Sequence, residues 1–131
     1  MKTHPLTKED KELIGEAMKL INYRKLKNGD VGDVACALRT QKGQIFTGVC
    51  LDLPSGIGFC AEHSAISDMV SHSKEFSIDA IVAMYRDGSV MYPCGRCREL
   101  MRLIEKDNMK NTWVITGERT KVKLKYLLPG K

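Results

Sequence analysis

Aromatic side chains are scarce in this sequence, with three Phe, four Tyr and one Trp in 131 residues. A groove for single-stranded nucleic acid needs a series of stacking rings beside its cations, so this scarcity speaks against a polynucleotide partner. Long apolar runs are also missing. The longest clean stretch, AIVAMY at 80–85, has the length of a buried strand, far short of the roughly 20 residues of a membrane span. The stretch MKTHPLTKEDKE is charged where an export signal would be apolar, and a cytoplasmic protein without membrane association is expected. Five cysteines, an odd number, do not suggest a disulfide framework; in a reducing compartment thiols serve as metal ligands, nucleophiles or core residues. Lys and Arg exceed Asp and Glu by 21 to 16, for a formal charge of +5. The basic residues are interspersed with acids, and only KVKLK at 121–125 is locally dense, which fits a solvated surface better than a nucleic-acid groove. There is no repeat or low-complexity tract, and the length suits one folding unit over 1–131.

What is present alternates between helical and strand periodicity. Thr7 followed by Glu9 and Asp10 opens a helix, and Leu13, Ile14, Ala17, Met18 and Ile21 continue it to about residue 23. VACALRT and QIFTGVCL flank the turn residues Gln41, Lys42 and Gly43, which predicts an antiparallel hairpin. DLPSGIG breaks the pattern, and a second helix starts at or beside Cys60. SIDAIVAMY and NTWVITG read as buried strands, DGSVMYP as a loop, and CGRCRELMRLIEK as a helix between them. The order β-β-α-β-α-β behind a leading helix implies an α/β layer with a mixed sheet, parallel in its second half. Both cysteine elements open helices, at the sheet edge where α/β proteins bind ligands.

Cys94 and Cys97 form a CxxC pair that by itself fits a redox couple, half of a structural zinc site or half of a catalytic one. Cys60 adds a third thiol. Catalytic zinc typically takes three protein ligands and keeps its fourth position open, and Cys60, Cys94 and Cys97 match that count. Cys94 and Cys97, at i and i+3, lie on one face of a first helical turn. Two helix N-termini, with Arg96 or Arg98 nearby, would offset the charge of three thiolates. Glu62, two residues from Cys60, suits proton transfer better than ligation. A structural site would want a fourth ligand, which Cys50 or His63 could provide; His63 otherwise reads as a packing residue beside the ligands and Cys36 as core.

CAE at 60–62 and PCGRCR at 93–98 resemble the cytidine deaminase family, including its blasticidin-S deaminase branch, and match the pattern H-x-E…P-C-x-x-C with Cys in the place of His. The likeness extends through the hairpin at 34–49 to LLPG at 127–130. The resemblance implies a three-layer fold, a mixed sheet of about five strands with helices on both faces. It further implies Zn2+ on Cys60, Cys94 and Cys97, and water attack on C4 of a cytosine ring. Glu62 would carry protons and ammonia would leave, so that cytidine, deoxycytidine or an analogue such as blasticidin S becomes its uracil form. The backbone N–H of Ala61 and the carbonyl of Tyr92 would hold the base. Cys50 and Asp52 stand where the family binds ribose hydroxyls, and Gly32 stands where it carries a stacking Phe, which leaves Phe59 or Tyr92 to stack. His63 occupies the place of an Arg that often follows CAE, and Arg96 would supply that cation. A homotetramer, or a dimer, with sites completed by neighbouring subunits is implied. The alternatives are deamination of another aminopyrimidine or of single-stranded nucleic acid, and a non-catalytic module stabilised by structural zinc.

Overall fold

The structure, a computed structural model, describes residues 2–129. Gly130 of the LLPG motif therefore lies outside the described residues. Helix α1 (Lys8–Leu20) starts with a reciprocal cap: the Asp10 N–H donates to Thr7 Oγ1 at 3.2 Å and the Thr7 N–H to Asp10 Oδ2 at 3.0 Å. It stops three residues before the expected 23. Ile21 leaves helical geometry with ψ 126°, and the Asn22 N–H donates to the Gly32 carbonyl at 3.0 Å, so a contact distant in sequence takes the chain into a short strand.

The strands are β1 (His4–Pro5), β2 (Arg24–Lys25), β3 (Asp30–Thr40), β4 (Ile45–Asp52), β5 (Ile78–Tyr85), β6 (Val90–Met91), β7 (Trp113–Ile115) and β8 (Thr120–Lys123). Among the described residues the sheet thus has eight strands where about five were expected; β1, β2 and β6, each of two residues, were not read in the sequence, and neither was β8, which falls in the stretch read as basic surface. Pairs that short carry little periodicity to read. β6 falls in the stretch expected to be a loop. The principal order is β1-β8-β7-β5-β3-β2, with β4 on β3 and β6 on β5. The predicted hairpin is formed, with Cys36 opposite Gly48 and Arg39 opposite Ile45. Among the described residues parallel pairing is confined to β5 and β7, because β5 returns beside β3, antiparallel to it, instead of continuing from β4.

Period-two alternation along β3 divides the core in two. Ala35 and Ala37 face α1 through Leu13 and Ala17, together with Ala80, Val82 and Ile115. Cys36 and Leu38 face the opposite layer, where α2 (Ala61–His72) and α3 (Gly95–Ile104) contribute Ala65, Ile66, Met69 and Met101. Helices therefore cover both faces, as the resemblance implied, and Cys36 is core. The helix read as running to Lys106 ends at Ile104 and is followed by α4 (Asn108–Asn111). Buried Asn108 joins these parts: its Nδ2 donates to the carbonyls of Met101 at 2.9 Å and Phe76 at 3.1 Å, and its Oδ1 accepts the Ile78 N–H at 3.0 Å. On the α1 face, buried Asp10 binds Arg39 at 3.0 Å and Lys121 at 2.6 Å, tying α1 to β3 and β8.

Candidate metal centre and its pocket

Each sulfur-bearing segment is placed by a specific contact. After β4 the chain makes a loop and returns by an antiparallel bridge, with the Leu51 N–H on the Phe59 carbonyl at 3.0 Å and the Phe59 N–H on the Leu51 carbonyl at 2.9 Å. Gly58 is required there, since a Cβ would meet the Leu51 carbonyl oxygen at 2.0 Å. The bridge sets Cys60 at the N-cap of α2, and α2 lies so close to β4 that a Cβ on Gly48 would meet Ser64 and Ala65 at 2.5 Å. Cys94 caps α3 in the same way, with Cys97 in its first turn. Arg98 holds this turn from behind: its Nε donates to the Pro93 carbonyl at 2.7 Å and its guanidinium reaches the Leu127 carbonyl at 3.1 Å.

The Sγ atoms of Cys60, Cys94 and Cys97 lie within 4.8 Å of one another, and Cys60 and Cys94 approach to 3.3 Å. Tetrahedral zinc with bonds of about 2.3 Å would hold its sulfurs ~3.8 Å apart, so the cluster fits the ion in size. It also fits in charge. Burial, and then the Cys94 thiol, push Cys60 up to about 11. Burial, followed by the charges of Glu62 and the other two thiols, pushes Cys97 well above the ordinary range. Burial opposes ionisation of Cys94 too, but the backbone N–H groups of Cys97 and Arg96 and the neighbouring thiols bring it below the usual cysteine value. Two thiols that burial holds protonated, beside a third that ionises more readily, form a donor set whose thiolates a divalent cation would stabilise.

Glu62 is 4% exposed and opens with Cys60 and Cys94 onto a cavity of about 430 Å³. Desolvation raises its carboxyl above the ordinary value, and its own backbone N–H only partly opposes this. The remaining residues expected at the site divide into those that line the cavity and those that do not. Ala61, Tyr92, Cys50, Asp52 and Phe59 line it. Cys50 is buried and donates from Sγ to Asp33 Oδ1 at 2.9 Å. His63 stacks on Phe59 with centroids 4.7 Å apart, and its buried Nδ1 has no partner. Among the described residues neither His63 nor Cys50 joins the thiol cluster, so the fourth ligand of a closed structural site is not supplied. The Arg96 side chain is exposed, and Arg96 bears on Cys94 through its backbone N–H, after the stronger contribution of the Cys97 N–H. Gly32 sits within β3 at φ 75°, where a Cβ would strike the Asn22 carbonyl oxygen at 2.1 Å, so no stacking ring can occupy that position.

Asp33 and Tyr85, which line the cavity, and the anchoring by Arg98 were not foreseen from the sequence. A signal for Asp33 existed. Glycine within a strand marks a bulge, bulges re-aim the side chains beside them, and the register of β3 against β4 shifts between Val31 and Ala35.

The family model for the cytidine and deoxycytidylate deaminase zinc-binding region matches residues 7–112. A blasticidin-S deaminase from Bacillus cereus is 31% identical over 143 aligned positions, which cover 100% of this chain and 97% of the relative. The crystal structure of cytidine deaminase from Mycobacterium leprae superposes with a TM-score of 0.74 at 25% identity, covering 91% of this chain and 96% of that one. That of cytidine deaminase from Burkholderia pseudomallei gives 0.71 at 25% identity, covering 95% and 98%. The extent of these matches and the thiol cluster agree: the chain belongs to the cytidine and deoxycytidylate deaminase family and is a zinc-dependent hydrolytic deaminase.

Proposed function

We propose that this protein deaminates a cytosine nucleoside, cytidine, deoxycytidine or an analogue such as blasticidin S, to its uracil form and ammonia. The observation that carries this is Glu62, buried and open to the cavity beside the three sulfurs of the helix-tip cluster. Zinc, when bound by Cys60, Cys94 and Cys97, supplies Lewis acidity that makes a water nucleophilic near neutral pH. The protein's own residues do the rest. Glu62 takes a proton as water adds to C4, delivers it to the adjacent ring nitrogen, and carries a second proton to the amine as the C4–N bond breaks. A carboxyl whose affinity for protons is raised by burial suits both directions of transfer. The Ala61 N–H and the Tyr92 carbonyl hold the base, and Phe59, Tyr85 and Tyr92 are the rings available to flank it.

The names of the relatives support the substrate class. Among the described residues no helix is long and apolar enough to cross a membrane, and we place the enzyme in the cytoplasm. A homo-oligomer, a tetramer or dimer, is favoured by Ile57 and Tyr92, 75% and 51% exposed, one in the loop beside the cavity and the other in its lining. The test combines metal analysis with one substitution. Purified protein is expected to hold about one zinc per chain, and Glu62→Gln to keep that zinc while losing at least about a hundredfold in cytosine deamination. A Glu62→Gln enzyme as active as the parent would overturn the assignment.

A further inference from the structure

The two helix starts that carry the sulfurs are held differently. Both are capped by cysteines, Cys60 and Cys94, so no side-chain oxygen closes either first turn, as Ser, Thr, Asp or Asn would at an ordinary cap. The α2 turn is fixed by the backbone bridge between Leu51 and Phe59 just before it. The α3 turn has no such bridge. β6 ends at Met91, Pro93 has no N–H, and among the described residues no turn or loop bond between backbone groups engages Tyr92 or Pro93. Arg98 holds this stretch instead. Its backbone N–H donates to the Cys94 carbonyl at 3.0 Å, its Nε to the Pro93 carbonyl at 2.7 Å and its Nη1 to the Leu127 carbonyl at 3.1 Å.

The guanidinium is half-buried, and no carboxylate pairs with it among the described residues; its two printed bonds both go to main-chain oxygens. A planar fork of fixed donors can keep two carbonyls in one arrangement, which a rotating ammonium cannot. The carbonyls it joins are far apart in sequence. Leu127 ends the short 3-10 turn Leu124–Leu127 and is buried in the layer of α2 and α3. Pro93 stands between the Tyr92 carbonyl, assigned above to the base, and Cys94. A rotation of the chain at Pro93 therefore moves the Tyr92 carbonyl and the Cys94 sulfur together. We infer that Arg98 is a positioning residue of the deaminase: by fastening Pro93 to the C-terminal turn at Leu127, it keeps the Tyr92 carbonyl aimed at the base and the Cys94 sulfur aimed at the metal. This rests on the deaminase reading above and adds a residue to it.

Two readouts on the zinc-loaded full chain test it, one of them apart from turnover: the rate at which zinc passes to a chromogenic chelator, and kcat and KM for cytidine. Arg98→Ala is expected to keep about one zinc per chain, to release it about tenfold faster and to lose about tenfold or more in kcat/KM. Ethylguanidinium at millimolar concentration is expected to recover at least about threefold of each loss, and ethylammonium at equal ionic strength to recover none. That contrast separates two missing hydrogen bonds from a loosened fold. Zinc release and kcat/KM within about twofold of the parent overturn the inference and leave the deaminase reading standing, and so do losses that ethylguanidinium does not touch. If Arg98→Ala does not fold, Arg98→Lys decides by the same zinc transfer: release about threefold faster upholds the inference, and the parental rate overturns it. A parent that holds zinc but turns over no cytosine nucleoside overturns the deaminase reading instead, and recovery of zinc retention by ethylguanidinium then still upholds Arg98 at the metal turn.

Discussion

Asp10 shows how much a single buried side chain carries here. Burial alone would raise its carboxyl, but Lys121, the Thr7 N–H and Arg39 together hold it at about 2, below the ordinary 3.8. The folded state therefore binds this proton less readily than the unfolded chain. The resulting stability is fully present above pH 3.8 and is lost as the pH falls through about 2. Unfolding measured between pH 5 and pH 2 is expected to show the parent losing its advantage over Asp10→Asn across that window. At neutral pH Asp10→Ala is expected to cost about 3 kcal/mol, because Lys121 is left buried without its carboxylate. Nothing in the sequence marked Asp10 as more than a helix-start acid. Its partners are 29 and 111 residues away, and a pattern read over a few turns of chain cannot register them.

Elements are positioned by close approaches that only small or buried polar residues permit. At Gly48, α2 touches β4 so closely that Gly48→Ala must shift the helix that carries Cys60, Ala61 and Glu62. The expected outcome is a fall in kcat of about tenfold or more with zinc content retained, since small displacements of a catalytic group are costly; steady-state kinetics and metal analysis would check it. Asn108 does the corresponding work between α3, α4 and the start of β5. Asn108→Ala leaves the Ile78 N–H and the Met101 and Phe76 carbonyls without their partner, and a loss of about 3 kcal/mol in denaturant unfolding is expected. The hairpin of β3 and β4, the strands β5 and β7 and the starts of all three longer helices were legible, because their periodicity and caps are local. The ends of α1 and α3 were not, because a bond to Gly32 and the turn into Asn108 decide where helical geometry stops. The short strands β1, β2 and β6 exist through their partners alone.

At the scale of the molecule, the thiol cluster joins two helix tips across the end of the sheet, so metal removal should be felt as lost stability. Chelation is expected to lower the melting temperature and to expose thiols to a chromogenic disulfide reagent, Cys94 first because it is the exposed one, while Cys36 stays protected until unfolding. An apoprotein that melts with the holoprotein would contradict the placement of the ion between α2 and α3. The sequence by itself determined the make-up of the candidate centre: three sulfurs and an acid at fixed spacings beside helix starts, a pattern that metal chemistry constrains residue by residue. The tertiary structure alone decided the surroundings of that centre. A left-handed glycine in a bulge and a Cys50–Asp33 hydrogen bond beside the cavity arise where β3, β4 and β5 meet, and pairing across the sheet, which local periodicity does not encode, brings them together.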